Sequence, residues 1–197
     1  MIRLRVYLAG PDVFLPNAAA FADTKRKLCD AYGFTGVSPF DNEIDLAALS
    51  KHAAALRISA ANEAMIRGCN LVIANMTPFR GPSADVGTAY EMGFARALGL
   101  PVFAYTTVGD SLVERTRQAL GAEAAERPSG QFEDSFHMAI EDFDGVDNLM
   151  LDGAVESSGA PIVVKAMSDD HRRFTDLSPF EECLKLAARQ LKVTRDR

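Results

Sequence analysis

Short apolar runs alternate, over the first half of the chain, with longer stretches in which apolar residues recur at helical spacing. A short apolar run that ends at Gly, Pro or polar residues is typical of a strand covered on both faces of a parallel sheet. Such runs predict strands over residues 2–8, 34–37, 71–74 and 101–105. The stretches between them predict helices over about residues 17–32, 49–67 and 88–98. This alternation predicts an α/β fold, a doubly wound parallel sheet with helices on both faces.

The carboxyl ends of the predicted strands are the expected location of a ligand site. In open parallel sheets, ligands bind in the crevice outside these ends. The loops concerned are those that follow Leu8, Val37, Ala74 and Tyr105. We expect them to share one edge of the sheet.

The second half of the chain has a less regular pattern. Residues 121–131 are predicted to form a flexible, irregular excursion, and residues 179–192 an amphipathic helix. No internal repeat, low-complexity tract or linker divides the sequence. We therefore expect one domain over residues 1–197.

Composition narrows the possible partners. The chain has 197 residues and a formal net charge of −6, whereas proteins that bind phosphate backbones usually carry an excess of positive charge. Nucleic acid is therefore not an expected partner. The three cysteines and three histidines are scattered, so we expect no disulfide framework, metal site or cofactor. The first apolar run is too short for a signal peptide and no run reaches transmembrane length, which indicates a soluble, cytoplasmic protein.

The chemistry of the chain is expected in the segment 85–91, because the common phosphate-loop, dinucleotide and serine-hydrolase motifs are absent from the sequence. Asp85 follows the third predicted strand, Gly87 allows a tight turn, and Thr88 can begin a helix with Glu91 in its first turn. Two carboxylates near one crevice suit the chemistry of glycosidic bonds. The same spacing also fits a capping box between Thr88 and Glu91, with Asp85 as an ordinary loop acid.

Five blocks of sequence together resemble the nucleoside 2-deoxyribosyltransferase family over about residues 4–151. They are YLAGP at 7–11, NEAMIR at 62–67, NMTPFRG at 75–81, DVGTAYEMGFA at 85–95 and NLM at 148–150. The block with the pattern D-x-G-T-x-x-E-x-G is the most specific of the five. The resemblance implies a flavodoxin-like α/β fold and a double displacement on 2′-deoxynucleosides.

On this resemblance, Glu91 is the nucleophile that attacks the anomeric carbon and forms a deoxyribosyl ester, from which a second base takes the sugar. The family places a tyrosine hydroxyl against the nucleophile at the position of Tyr7, and an acid near the sugar hydroxyls at that of Asp85. The positive end of a helix dipole would favour the ionised form of Glu91. The capping box and the nucleophile are therefore compatible.

Several further residues are expected to bind the substrate. Asn62 occupies a position where relatives have Asp or Asn facing the base, and its amide can form hydrogen bonds but cannot donate a proton as an acid. Gly10, Gly87 and Thr88 belong to the same blocks and are expected at the pocket. Phe14 and the pair Pro39-Phe40 could stack on the base or line the pocket, or they could be part of the core.

The block Asn148-Leu149-Met150 resembles a segment that a neighbouring subunit lends to the active site in this family. The resemblance therefore implies a homo-oligomer, a dimer or larger, in which Asn148 contacts a sugar hydroxyl across an interface and Met150 lies at the same site. The alternative is that Asn148 is an ordinary loop residue before a short apolar strand.

Two other functions remain open at this point. An N-glycosidase of the same superfamily would hydrolyse a nucleoside or a nucleoside 5′-monophosphate. Related monophosphate hydrolases have a serine at the position of Asn148, which favours an uncharged 5′-hydroxyl here, whereas Arg80 keeps a phosphate possible. A non-catalytic nucleotide-binding module is the third hypothesis. The expected partners are nucleosides and nucleobases, with the choice between purine and pyrimidine left open.

Overall fold

A parallel sheet of five strands forms the centre of the molecule. The computed structural model describes residues 3–42, 44–169 and 172–193. Its strands are β1 (Leu4–Ala9), β2 (Phe34–Val37), β3 (Leu71–Asn75), β4 (Val102–Thr106), β5 (Ala125–Glu126), β6 (Phe132–Glu133) and β7 (Val163–Val164). The sheet has the order β2-β1-β3-β4-β7 with every pair parallel, which is the strand order of flavodoxin-like folds.

Helices cover both faces of this sheet. They are α1 (Ala18–Ala31), α2 (Lys51–Arg67), α3 (Val86–Ala97), α4 (Leu112–Leu120), α5 (Leu149–Glu156) and α6 (Ser178–Gln190). Tyr7 of β1 belongs to a core cluster with residues of α2, α3 and α5, and its neighbour Leu8 to a second cluster with residues of α1 and α6. Successive strand residues point to opposite faces, so this division confirms the predicted sheet with helices on both faces. Within the described residues, no helix is long and apolar enough to cross a membrane.

The predicted elements of the first half are present with bounds shifted by at most two residues, whereas the second half contains elements that the pattern did not predict. The prediction of an irregular excursion over residues 121–131 is wrong in part, because this segment contains β5, which pairs with β6 directly after it in a small antiparallel hairpin. Helix α4 was missed although Ser111 and Glu114 form a reciprocal capping box at its start. The alternative of a strand after Asn148 is also wrong, because Asn148 is the N-cap of α5.

The loop after β1 lies directly against the end of β3. A Cβ atom at Gly10 would come within 2.8 Å of the Cβ atom of Asn75, so this close approach requires glycine. Asp12 fixes the same loop, because it accepts hydrogen bonds from Nδ2 of Asn75 at 2.8 Å and from Nζ of Lys25 at 2.5 Å. Lys25 is only 2% exposed, which makes this a buried ion pair. The loop is thereby held at the carboxyl edge of the sheet.

Candidate active site

A cavity of about 540 Å³ lies at the carboxyl edge of the sheet, beside β1 and β3. Its size is within the range of small-molecule sites. The walls come from the loops after β1 and β2, from α2 and from the start of α3. The lining residues expected from the sequence are Gly10, Phe14, Asn62, Asp85, Gly87, Thr88 and Glu91. Pro39 and Phe40, for which a core position was the alternative, line it as well, and the remaining lining residues are Val13, Asn42, Ile44, Leu46 and Ile58. The cavity is therefore mostly apolar, with a few polar side chains.

Glu91 and Tyr7 meet at this cavity. The hydroxyl of Tyr7 donates a hydrogen bond of 2.5 Å to Oε1 of Glu91. Tyr7 lies in the central strand β1 and is fully buried, and burial together with the charge of Glu91 raises its pKa well above the ordinary value. Tyr7 therefore keeps its proton and acts as the donor. Oε2 of Glu91 has no hydrogen-bond partner among the described residues.

The ionisation of Glu91 is shifted upward. Burial raises the pKa of Glu91 to about 7, and the negative charge of Asp85 adds to this effect, whereas the hydrogen bond from Tyr7 lowers the pKa. The expectation that a helix N-terminus would favour the ionised form therefore does not describe the dominant effect. A carboxylate with a pKa near 7 exchanges its proton close to neutral pH.

Helix α3 begins at Val86 and not at Thr88, where it was predicted to begin. Asp85 is the N-cap, and its Oδ2 accepts hydrogen bonds from the backbone N–H of Thr88 at 3.0 Å and from the hydroxyl of Thr88 at 3.2 Å. Thr88 therefore lies inside the helix, and the capping box between Thr88 and Glu91 is wrong. Glu91 lies in the second turn, because the helix begins two residues earlier, at Val86. Asp85 thus caps the helix, a role that was not predicted for it, and also lines the cavity, as expected.

Asn62 lies on α2 and faces the cavity beside an asparagine that the sequence analysis did not identify. Nδ2 of Asn42 donates hydrogen bonds to the carbonyl oxygen of Pro39 at 3.1 Å and to Oδ1 of Asn62 at 3.2 Å. Nothing in the periodicity of the sequence marks Asn42, because it lies in a loop that comes close to α2 only in the folded chain. The apolar cavity residues Ile44 and Leu46 were missed for the same reason. Ile58 lies on α2 itself, where the sequence does not show which side of the helix meets the cavity.

An aromatic and cationic stack stands at the rim of the cavity. The ring of Phe14 stacks on that of Phe79 with centroids 5.2 Å apart, and Phe79 also makes an edge contact with Phe174. The guanidinium of Arg80 lies 4.9 Å from the centroid of Phe14 and 4.6 Å from that of Phe79. Phe14 is therefore a cavity residue and not a core residue, with 54% of its surface exposed.

Asn148 and Met150 are not among the residues that line the cavity. Oδ1 of Asn148 accepts a hydrogen bond from the backbone N–H of Met150 at 3.1 Å, and its Nδ2 donates to Glu141 at 2.7 Å. Met150 is 72% exposed and its neighbour Leu149 is 47% exposed. The chain thus brings together eight of the ten expected residues, counting Tyr7 with the seven lining residues, and leaves these two on its surface.

Across the described parts of the chain, no three His, Cys, Asp or Glu side chains are grouped so that they could hold a metal ion. The polar side chains at the cavity are instead the acids Glu91 and Asp85, the amides Asn42 and Asn62, and the hydroxyl of Thr88. Such a set can bind a neutral molecule with several hydroxyl and ring nitrogen atoms. It also supplies one acid, Glu91, with a free oxygen for a nucleophilic role.

The chain is similar to known proteins in sequence and in fold. A model of the family described as Nucleoside 2-deoxyribosyltransferase matches residues 6–150. An uncharacterized protein of Schizosaccharomyces pombe is 31% identical over 169 residues, which are 81% of this chain and 80% of that protein. The structure of a 2-desoxiribosyltransferase from Leishmania mexicana is similar over 91% of this chain and 97% of its own, with a TM-score of 0.60 and 29% identity.

Proposed function

The chain belongs to the nucleoside 2-deoxyribosyltransferase family, and from this premise we propose that it transfers 2-deoxyribose between nucleobases through a covalent deoxyribosyl intermediate on Glu91. The observation that carries the proposal is the hydrogen bond of 2.5 Å from Tyr7 to Glu91 at a largely apolar cavity. A buried carboxylate that faces such a cavity suits attack on an anomeric carbon. The relative from Leishmania mexicana, a 2-desoxiribosyltransferase by name, supports the same reaction for this chain.

The reaction consists of two displacements at the same carbon. In the first, Oε2 of Glu91 forms a bond to C1′ while the C1′–N bond breaks and its electron pair leaves with the base. The departing base takes up a proton from solvent. In the second displacement, a nitrogen of the incoming base forms a bond to C1′ and releases its proton to solvent, and the ester bond breaks with its electron pair returning to Glu91. Two inversions retain the configuration of the sugar, and water is not consumed.

Two features prepare Glu91 for attack, the hydrogen bond from Tyr7 and the burial of the carboxylate. The hydrogen bond from Tyr7 holds Oε1 in place and leaves Oε2 without a partner among the described residues, free to attack. Burial raises the pKa of Glu91 to about 7, so the carboxylate is less stabilised than one in water and is correspondingly more reactive. The acid must be ionised to attack, so activity should rise with pH around 7.

Asp85 is proposed to hold the sugar. Its Oδ2 is occupied by the cap of α3, whereas its Oδ1 has no hydrogen-bond partner among the described residues. Because Asp85 lines the cavity, Oδ1 can accept a hydrogen bond from a sugar hydroxyl. Gly10, Gly87 and Thr88 complete this side of the cavity and place backbone close to the substrate.

A second copy of the chain is proposed to complete the site with Asn148 and Met150. Asn148 and Met150 lie outside the cavity of their own chain. Leu149 and Met150 form an exposed apolar patch beside Asn148. An isologous dimer would place this segment of each copy at the cavity of the other. The family resemblance supports the same assembly.

The direct test of the function uses deoxyinosine with and without free adenine. The proposal expects deoxyadenosine only when adenine is present, and hypoxanthine in equal amount. Release of free deoxyribose at the same rate in both mixtures would show a hydrolase instead. Binding of the nucleosides without any product would show a non-catalytic module.

A matched pair of substrates tests the preference for 2-deoxyribose over ribose. A 2′-hydroxyl withdraws electrons and makes an oxocarbenium-like transition state harder to reach. We therefore expect clearly faster transfer from deoxyadenosine than from adenosine. Equal rates on the two nucleosides would contradict a transferase adapted to 2-deoxyribose.

Hydrolysis of nucleoside 5′-monophosphates is a second candidate function, and Arg80 favours it. Its guanidinium stacks on Phe14 at the rim of the cavity and forms no hydrogen bond or ion pair with the described residues. A stacked guanidinium keeps its N–H groups available for a phosphate. The test compares thymidine with its 5′-monophosphate. If the monophosphate is cleaved faster and Arg80→Gln removes only that advantage, the hydrolase is the better description.

A further inference from the structure

The amide groups of Asn42 and Asn62 have one defined orientation. The carbonyl oxygen of Pro39 can only accept, so the group of Asn42 that faces it at 3.1 Å is Nδ2. The second hydrogen of this Nδ2 is directed at Asn62, which must then present Oδ1, at 3.2 Å. Two groups remain without a partner among the described residues, Oδ1 of Asn42 as an acceptor and Nδ2 of Asn62 as a donor.

The loop that carries Asn42 is fixed independently of any ligand. Ser38 and Asp41 form a reciprocal cap, in which Oδ2 of Asp41 accepts from the backbone N–H of Ser38 at 2.8 Å. Oδ1 of Asp41 accepts from Arg26 of α1 at 2.6 Å. Asn42 follows directly, so the position of its amide is set by the fold.

Both amides reach the cavity that contains Glu91. Asn42 and Asn62 are half-buried and line it together. Asn62 also lines an adjoining cavity of about 470 Å³ between α2 and α3, which contains Glu91 as well. Both amides, joined by their hydrogen bond, therefore border the space where a base would lie if Glu91 holds the sugar.

We propose that Asn42 and Asn62 form a fixed donor–acceptor edge that selects a 6-aminopurine over a 6-oxopurine. This inference rests on the proposed function and deepens it. Adenine offers an acceptor at N7 and a donor at its 6-amino group, which complement Nδ2 of Asn62 and Oδ1 of Asn42. With N7 at Asn62, hypoxanthine offers acceptors at both N7 and O6, so its oxygen would face Oδ1 of Asn42 without a hydrogen between them. Its O6 and N1–H could meet the two amides only if the purine turned N7 away from Asn62.

Asn42 is a positioning residue in this arrangement as well as a contact. Without it, the amide of Asn62 is free to rotate and to present either its oxygen or its nitrogen to the base. The hydrogen bond from Asn62 to N7 also assists departure of the purine, because N7 gains electron density as the C1′–N bond breaks. An amide hydrogen bond at this atom takes the place of a proton from an acid.

Equilibrium binding of free bases tests the edge separately from turnover. Isothermal titration of the wild-type protein compares adenine, hypoxanthine and 7-deazaadenine, which lacks the N7 acceptor. We expect adenine to bind about tenfold more tightly than either of the other two. Equal affinities for adenine and hypoxanthine would overturn the inference.

Two variants and a matched control locate the effect. Asn42→Ala removes the acceptor, and Asn42→Leu keeps about the size of the side chain without its donor or its acceptor; both should reduce the preference for adenine to about twofold or less. Leu46→Ala removes an apolar wall of the same cavity and should weaken both bases while keeping their ratio. A preference that survives both Asn42 variants would overturn the role of Asn42.

The failure of the inference can be distinguished from failure of the proposed function. Equal binding of the purines with intact deoxyribosyl transfer overturns only the donor–acceptor edge. Absence of binding of every base, together with absence of transfer, overturns both.

Discussion

The sheet-edge part of the candidate site and the segment 148–150 differ in how completely the chain itself builds them. At the sheet edge, Tyr7 is fully buried and its hydroxyl lies 2.5 Å from Glu91, at a cavity that the same chain encloses. In the segment 148–150, Asn148 caps a short helix and Met150 is 72% exposed. The first part is the reaction centre that we propose, built within one chain, and the second is a surface that, on the same proposal, a neighbouring molecule completes.

Because of this difference, substitutions in the two parts should affect activity in different ways. A change at Glu91 acts on the chemistry within each chain, whereas a change at Asn148 should act through the copy next to it. Activity measurements on single variants and on mixtures can therefore distinguish the two parts. The predictions follow in order of the size of the expected effect.

The largest effect is expected for Glu91→Gln. An amide cannot form the covalent ester, so transfer should fall about 10³-fold or more while the fold is kept. Initial rates of deoxyadenosine formation measure the loss. Glu63→Gln is the matched control, because Glu63 is an acid on the adjoining α2 and lines the neighbouring cavity with Glu91. Near-normal turnover in Glu91→Gln, or an equal loss in both variants, would contradict the nucleophile.

A smaller loss, about 10- to 100-fold, is expected for Asn148→Ala if a second copy donates this residue to the site. Mixing Glu91→Gln with Asn148→Ala then allows subunits to exchange. In a mixed dimer, one site would contain both defects and the other would be intact, so about a quarter of all sites should recover. The regained rate of transfer, measured after exchange, is the readout.

The cap of α5 requires a separate control, because Asn148→Ala also removes a helix cap worth about 1 kcal/mol. Asn148→Ser keeps a capping oxygen and should unfold at nearly the wild-type temperature while transfer is still reduced. If subunit exchange is demonstrated and the mixture of Glu91→Gln with Asn148→Ala is no more active than the average of the two variants, the shared site is wrong. Asn148 would then have only its structural role at α5.

The sheet-edge part could be anticipated from the sequence because its positions follow from the strand order. Tyr7 lies in a buried apolar run and Glu91 in the helix after another, and parallel neighbours must place both at one edge. The start of α3 could not be fixed, since Asp85 and Thr88 are both suitable caps three residues apart and only the folded loop selects Asp85. Asn42 left no signal at all, because its partners are 3 and 20 residues away along the chain.

The structure of the segment 148–150 likewise could not be fixed from the sequence. Asn148 followed by three apolar residues fits a short strand as well as the first turn of a short helix. In the structure this segment is a helix, and Asn148 is its N-cap. Asp152 of the same helix accepts hydrogen bonds from the backbone of the preceding loop. Neither sequence nor fold of one chain shows what covers Met150, and the mixing experiment supplies that information.

The smallest effect is expected for Tyr7→Phe, and it concerns the pH at which the sheet-edge part begins to work. Glu91 must be ionised to attack, so the rate should fall as pH drops below its pKa of about 7. The hydrogen bond from Tyr7 lowers this pKa, because it stabilises the charged form. Removing the hydroxyl therefore raises the pKa and moves the acid limb to higher pH. The loss should be about tenfold at pH 6 and only a few-fold at pH 9.

Tyr90→Phe is the control that makes this shift specific. Tyr90 is an exposed tyrosine on the same helix as Glu91, and its hydroxyl donates to Glu63 instead. The acid limb of Tyr90→Phe should coincide with that of the wild-type protein in a pH profile of kcat/KM. A limb that stays in place in Tyr7→Phe would mean that Tyr7 does not stabilise the carboxylate. A limb that moves to lower pH would mean that the hydroxyl of Tyr7 stabilises the protonated acid, which would contradict its role in preparing the carboxylate.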